Sequence, residues 1–197
     1  MTTALEIPDR FRNVLDEDFF EVVDGEFRAI ERLLAYDSVL ASELAFRLGN
    51  FVRPNRLGMV AIETMFVLRE SPLLLLLLLL LRRPDIALVL QKKLKEYHVL
   101  NTSAWDVVPD LAVEIVSPTN FADEIDTKLV DYFAAGVGQV WVIYPETRRL
   151  YVHESLQVAR GYSEDDLINA APVLPGFTFR LADLFDAIEN VDDEPAE

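Results

Sequence analysis

Two apolar runs each carry a carboxylate where a buried strand would otherwise hold none: Arg82-Arg83-Pro84-Asp85-Ile86-Ala87-Leu88-Val89 and Pro109-Asp110-Leu111-Ala112-Val113-Glu114-Ile115-Val116-Ser117-Pro118. A charge inside such a strand is costly unless it is paired, hydrogen-bonded or bound to a metal. Asp85 and Glu114 therefore restrict the folds open to the chain to those that bring a partner to them. A third segment, Asp123-Glu124-Ile125-Asp126-Thr127-Lys128-Leu129-Val130-Asp131-Tyr132-Phe133, reads as a helix with a lone lysine near its apolar face. Two acids and a lysine are a side-chain set suited to metal-dependent phosphodiester chemistry.

At 197 residues, 51% of them hydrophobic and 26% charged, the chain has the size and composition of one domain with a real core. We expect that domain over residues 1–190 and an acidic, disordered tail over 191–197. The absence of cysteine excludes disulfides, thiolate zinc sites and cysteine nucleophiles. His98 and His153, the only histidines, are too far apart in sequence to suggest a histidine-built metal site or a serine-histidine triad. Oxygen ligands remain, and they favour magnesium, manganese or calcium. Residues 1–10 lack a basic segment followed by an apolar run, so no signal peptide is expected and a cytoplasmic location is the default. The net charge of -16 opposes a broadly basic nucleic-acid surface. Any DNA-binding face would have to be local, and its candidates are Arg82 with Arg83, then Lys92, Lys93 and Lys95, then Arg53 with Arg56.

Asp24-Gly25 between two apolar runs predicts a hairpin over residues 19–30. Leu40, Leu44 and Leu48 predict an amphipathic helix from Ser38 to Leu48, with Asp37 or Ser38 as N-cap and Gly49 just past its end. Strands are expected at 59–68, 85–90, 110–116, 140–144 and 150–153. Between the third and fourth of these, a helix near 122–135 closes on Gly136. Residues 172–180 give a turn and a strand, and 181–188 a short helix. Nine consecutive leucines, Leu73 to Leu81, lack either amphipathic period and are about half the length that crosses a bilayer. We read them as a buried or atypical connector rather than a membrane span.

Two Pro-Asp pairs compete for the metal-binding aspartate. Asp110 shares a strand face with Glu114, but at about 3.3 Å per residue their backbones are roughly 13 Å apart, too far to share one ion comfortably. Asp85 lies on a separate strand, whose pairing could bring its carboxylate to within a few ångströms of Glu114. The pair chosen is Asp85 with Glu114. Each has a plainer alternative: Glu114 on a solvated face or in an ion pair with a nearby arginine, and Asp85 as a strand-entry residue after proline. Lys128 sits at the edge of the Ile125, Leu129 and Tyr132 face, able to reach inward or to pair with Glu124 on the helix surface. Glu43 and Glu63 are further acids that could approach a metal, although solvated positions suit both better.

These segments, with Lys128-Leu129-Val130-Asp131-Tyr132-Phe133-Ala134-Ala135-Gly136-Val137, Trp141-Val142-Ile143-Tyr144-Pro145 and Leu174-Pro175-Gly176-Phe177, resemble in order the Uma-two restriction endonuclease family of the PD-(D/E)XK nuclease superfamily. The resemblance covers roughly residues 19–188. It implies an α/β fold, a restriction-endonuclease-like mixed β-sheet flanked by helices. It also implies that Asp85 and Glu114 are metal ligands, and that Lys128 replaces the lysine usually found two residues after the glutamate, where this chain has Val116. The expected activity is that of a DNA endonuclease using Mg²⁺ or Mn²⁺, with the Ile115 carbonyl as a further ligand and Asp85, Glu114 and Lys128 as catalytic residues. The expected partner is DNA, with no membrane, and a second copy of the chain is a candidate for a homodimer. The alternatives are a catalytically silent binding module on the same fold and a metal-dependent hydrolase of a small phosphorylated substrate.

Overall fold

The computed structural model describes residues 20–23, 25–30, 33–68, 80–94, 104–117 and 122–189. The first of the described elements form an antiparallel hairpin, β1 (Phe20–Val23) and β2 (Glu26–Ala29), in register Val23 to Glu26 with Gly25 at φ 76°. That positive φ is what the two-residue turn demands and glycine supplies. Helix α1 (Ala35–Val52) follows, then β3 (Gly58–Ile62), β4 (Phe66–Leu68), β5 (Leu80–Arg82), β6 (Ile86–Leu90) and a single turn, α2 (Gln91–Leu94). Then come β7 (Leu111–Ile115), α3 (Ala122–Ala135), β8 (Gln139–Tyr144), β9 (Arg149–Ser155), β10 (Val158–Tyr162), β11 (Leu167–Asn169), β12 (Thr178–Arg180) and α4 (Leu181–Glu189).

Six strands make a central mixed sheet in the order β10-β9-β8-β7-β6-β3. Only β7 and β8 run parallel, and α3 is the crossover that a parallel pair requires. Alternation along the strands sends Ile86, Leu88, Leu111, Val113, Ile115, Trp141 and Ile143 to one face, where α1 and α4 cover them with Leu40, Leu44, Leu48, Leu184 and Phe185. The other face presents Ala87, Val89, Ala112, Val140 and Val142 to Ile125, Leu129 and Tyr132 of α3 and to Phe66 and Trp105. A second sheet, β2-β1-β5-β4, adds its own core of Phe20, Val22, Met65, Val67 and Leu81. Among the described residues no helix is long and apolar enough to cross a membrane.

Several elements differ from the sequence reading. Helix α1 begins at Ala35 after Leu34, which offers no side-chain cap, so Asp37 and Ser38 lie inside it; Gly49 is also interior, and the helix runs on to Val52, before Pro54 withholds the next N–H donor. The strand expected over 59–68 is two strands in different sheets, divided where Glu63 takes φ 45°. The end of the leucine run is no connector: Leu80 and Leu81 pair with β4, and Leu81 also with β1. The hairpin partner β10 and strand β11 carry no clear apolar alternation and were not expected. Residues 1–10, Leu73–Leu79, Lys95, His98 and the 191–197 tail lie outside the described residues.

Candidate active site

Continuing the antiparallel register of β6 and β7 by one residue sets Asp85 opposite Glu114. Asp85 Oδ2 accepts a hydrogen bond from the Ile115 N–H at 2.6 Å, which ties the aspartate to the neighbouring strand. Glu114 shares the face of Ala112 that α3 covers, and only 3% of its surface is exposed. Two residues of α3, one helical turn apart, meet it there. Lys128 Nζ donates to Glu114 Oε2 at 2.8 Å and the Tyr132 hydroxyl to Oε1 at 2.5 Å. Lys128 is 7% exposed and Tyr132 fully buried, so the lysine turns inward rather than along the helix surface.

The electrostatics follow from this crowding. Burial, then the Glu114 charge, push the Asp85 carboxyl well above its usual range, against the Ile115 hydrogen bond and Lys128. Burial also raises Glu114, with Lys128 opposing. For Lys128 burial alone would lower the ammonium, but Glu114 and Glu21 outweigh it and the net shift is upward. Burial and the same two glutamates hold the Tyr132 phenol well above its ordinary value, which keeps it a donor.

Behind this cluster stands an ion network invisible in the local sequence. Arg82, 2% exposed, donates from Nη1 to Glu21 Oε2 at 2.6 Å and from Nε to Asp131 Oδ2 at 2.7 Å, while Glu21 Oε1 takes the Arg83 N–H at 2.8 Å. The buried guanidinium thus joins β1, β5 and α3, and it cannot belong to a DNA-facing surface. Glu21 and Asp131 were missed, Arg82 was read as a DNA-facing cation and Tyr132 as core, because each role depends on a partner far along the chain.

Asp110 serves the opposite end of the sheet. Its Oδ2 accepts from Leu90 N at 2.7 Å and its Oδ1 lies 3.0 Å from Lys93 Nζ. Lys93 is thereby occupied too. Glu43 pairs with Arg47 along α1, on the other side of the sheet. Glu63 lies nearer: its N–H bonds Asp85 O at 3.0 Å, and its charge adds to the upward pressure on Asp85.

Two facing carboxylates among hard oxygen donors fit a small divalent cation, which commonly takes one or two protein carboxylates and completes its shell with water or phosphate oxygen. No group of three or more His, Cys, Asp or Glu side chains suited to a metal occurs among the described residues. An ion here would rest on Asp85 and Glu114, with backbone or substrate oxygen for the remainder.

A mixed sheet with helices on both faces, and acids on its adjoining central strands, defines a restriction-endonuclease-like α/β protein. The crystal structure of "a putative nuclease belonging to DUF820" from Anabaena variabilis has the same fold, with a TM-score of 0.73 at 17% identity over 86% of this chain and 90% of that one. The chain belongs to the Uma2 family, described as "Putative restriction endonuclease", with a match over residues 8–182. No curated protein matches it.

Proposed function

We propose that the chain is a divalent-metal-dependent DNA endonuclease. The observation that carries this reading is the buried Glu114–Lys128 pair with Asp85 across the strand. Asp85 and Glu114 would hold Mg²⁺ or Mn²⁺, with the Ile115 carbonyl as a further oxygen. When bound, the ion supplies Lewis-acid polarisation of a phosphodiester and a more acidic water. Tyr132 holds the Glu114 carboxylate in one orientation. Lys128, kept charged by Glu114, stabilises the negative charge that develops on the phosphate as the bond to the leaving oxygen breaks. The lysine does this from α3 because Val116 occupies the strand position that would otherwise carry it.

The test is nicking of supercoiled plasmid by the wild type with Mg²⁺ or Mn²⁺, beside Glu114→Ala, Lys128→Ala and Asp110→Ala. Loss of cutting in the first, strong slowing in the second and substantial activity in the third support the reading. A silent binding module is favoured by one observation, the removal of Arg82 and Lys93 from the cationic surface by ion pairs in a chain of net charge -16. No cutting by the wild type across metals and DNA forms would select it.

A further inference from the structure

We propose that the concavity formed by Tyr144, Thr147, Arg149 and Tyr151 is a nucleotide subsite for single-stranded DNA, in which Arg149 takes a backbone phosphate and the tyrosines take an unstacked base. The inference rests on the nuclease reading and extends it to the form of the substrate. Position comes first. Glu114 pairs with Val142, and Val142 with Tyr151, so these side chains share one face of the sheet. Two strand spacings put Tyr151 about 10 Å from Glu114 across the sheet, with Tyr144 two residues further along β8. The concavity therefore lies beside the Asp85–Glu114 pair on the same face of the sheet.

The concavity is open and about 490 Å³, within the range of small-ligand sites. Its aromatic pair is set edge to face, with ring centroids 5.7 Å apart and planes at 84°. Gly161, opposite Tyr151 on β10, makes room for that ring: a Cβ there would come within 3.0 Å of Tyr151 Cε1. Aromatic faces beside a guanidinium are the means by which proteins hold unpaired bases and their phosphates.

Charge gives the third argument. Arg148 is tied to Glu164, Asp186 and Glu189, whereas its neighbour Arg149 is exposed and forms no ion pair with a described residue. Asp126 on α3 brings an opposing charge close to Tyr144. Its removal should strengthen binding.

The experiment is fluorescence anisotropy of a labelled single-stranded oligothymidylate against the full chain in EDTA, over a series of salt concentrations. Arg149→Ala should weaken binding several-fold and lower the slope of log Kd against log salt by about one. Tyr151→Ala should weaken it roughly tenfold, Tyr151→Phe should restore it, and Asp126→Asn should tighten it. The control is Arg160→Ala, an exposed arginine whose partner Val152 points to the opposite face of the sheet. Equal loss in Arg149→Ala and Arg160→Ala, no loss in Arg149→Ala, or no binding by the wild type would overturn the subsite. A duplex bound as tightly as the single strand would overturn the stacked base. Plasmid nicking without Arg149-dependent binding defeats the subsite alone; Arg149-dependent binding without nicking defeats the nuclease reading alone.

Discussion

Tyr132 and Glu114, eighteen residues apart, are joined by a 2.5 Å hydrogen bond from phenol to carboxylate in a place closed to solvent. With Lys128 on the other oxygen, the bond leaves the carboxylate little freedom to turn. Tyr132→Phe removes the donor and keeps the ring. We expect a loss of about 1 kcal/mol in stability, from the net worth of a hydrogen bond, and of about 10–100-fold in Mg²⁺ affinity or cleavage, as for other residues that orient metal ligands. Urea melts and a Mg²⁺ titration of nicking check both; wild-type cleavage would reduce the phenol to packing.

The Lys128–Glu114 pair gives a prediction about folding that needs no substrate. Lys128→Met leaves Glu114 buried beside Glu21 without its cation, and should cost about 3 kcal/mol in EDTA. Adding Glu114→Gln should return most of that loss, because the stranded charge is then gone. A urea midpoint unchanged by Lys128→Met would mean that water reaches the pair.

Asp110→Ala tests the choice between the two Pro-Asp pairs. The variant loses the cap on Leu90 N and the partner of Lys93, worth about 1–2 kcal/mol of stability. Its cleavage rate, compared at a temperature where both proteins are folded, should stay near that of the wild type. A folded but inactive Asp110→Ala would move the proposed metal site to the other end of β7.

For Asp85 the sign of the pH dependence is informative. Its carboxyl is raised by burial and by Glu114, so the native state holds a proton that the unfolded chain releases near the ordinary value of 3.8. Metal-free stability therefore falls as pH rises from that value up to the raised native pKa, and stays lowered beyond it. Asp85→Asn removes the penalty. In EDTA the variant should be more stable than the wild type by on the order of 1 kcal/mol at about pH 8, with the margin shrinking toward acid. Mg²⁺ should raise the Tm of the wild type and not that of the variant, because binding to the native state alone stabilises it. Equal Mg²⁺ responses would argue against Asp85 as a ligand.

What could be read from the chain was local. Asp85 and Glu114 stood out because each interrupts an apolar run, Gly25 and Gly136 marked their turns, and the α3 periodicity put Lys128 at the edge of a buried face. The structure brings that lysine onto Glu114. The failures were of two kinds. Where a short apolar stretch crosses from one sheet to another, as at Glu63, nothing in its composition signals the break. Where a residue matters through a distant partner, as with Glu21 and Arg82, the pairing of β1 with β5 had to exist first.

That pairing also bears on the leucine run. A strand finds its register through side chains that differ from their neighbours, and sliding a run of identical leucines by one position replaces Leu80 with Leu79 and Leu81 with Leu80 at no loss of hydrophobic fit. The distinguishing mark is the residue that ends the run. Arg82 can satisfy Glu21 and Asp131 in only one setting, and a slip in either direction would leave Glu21 buried and Asp131 half-buried without their cation. The guanidinium thus acts, together with the Arg83 N–H on Glu21 and the Arg83 side chain on the Glu63 carbonyl, as an address for the end of the run, and it helps to fix the alignment of β5, with Asp85 three residues beyond it.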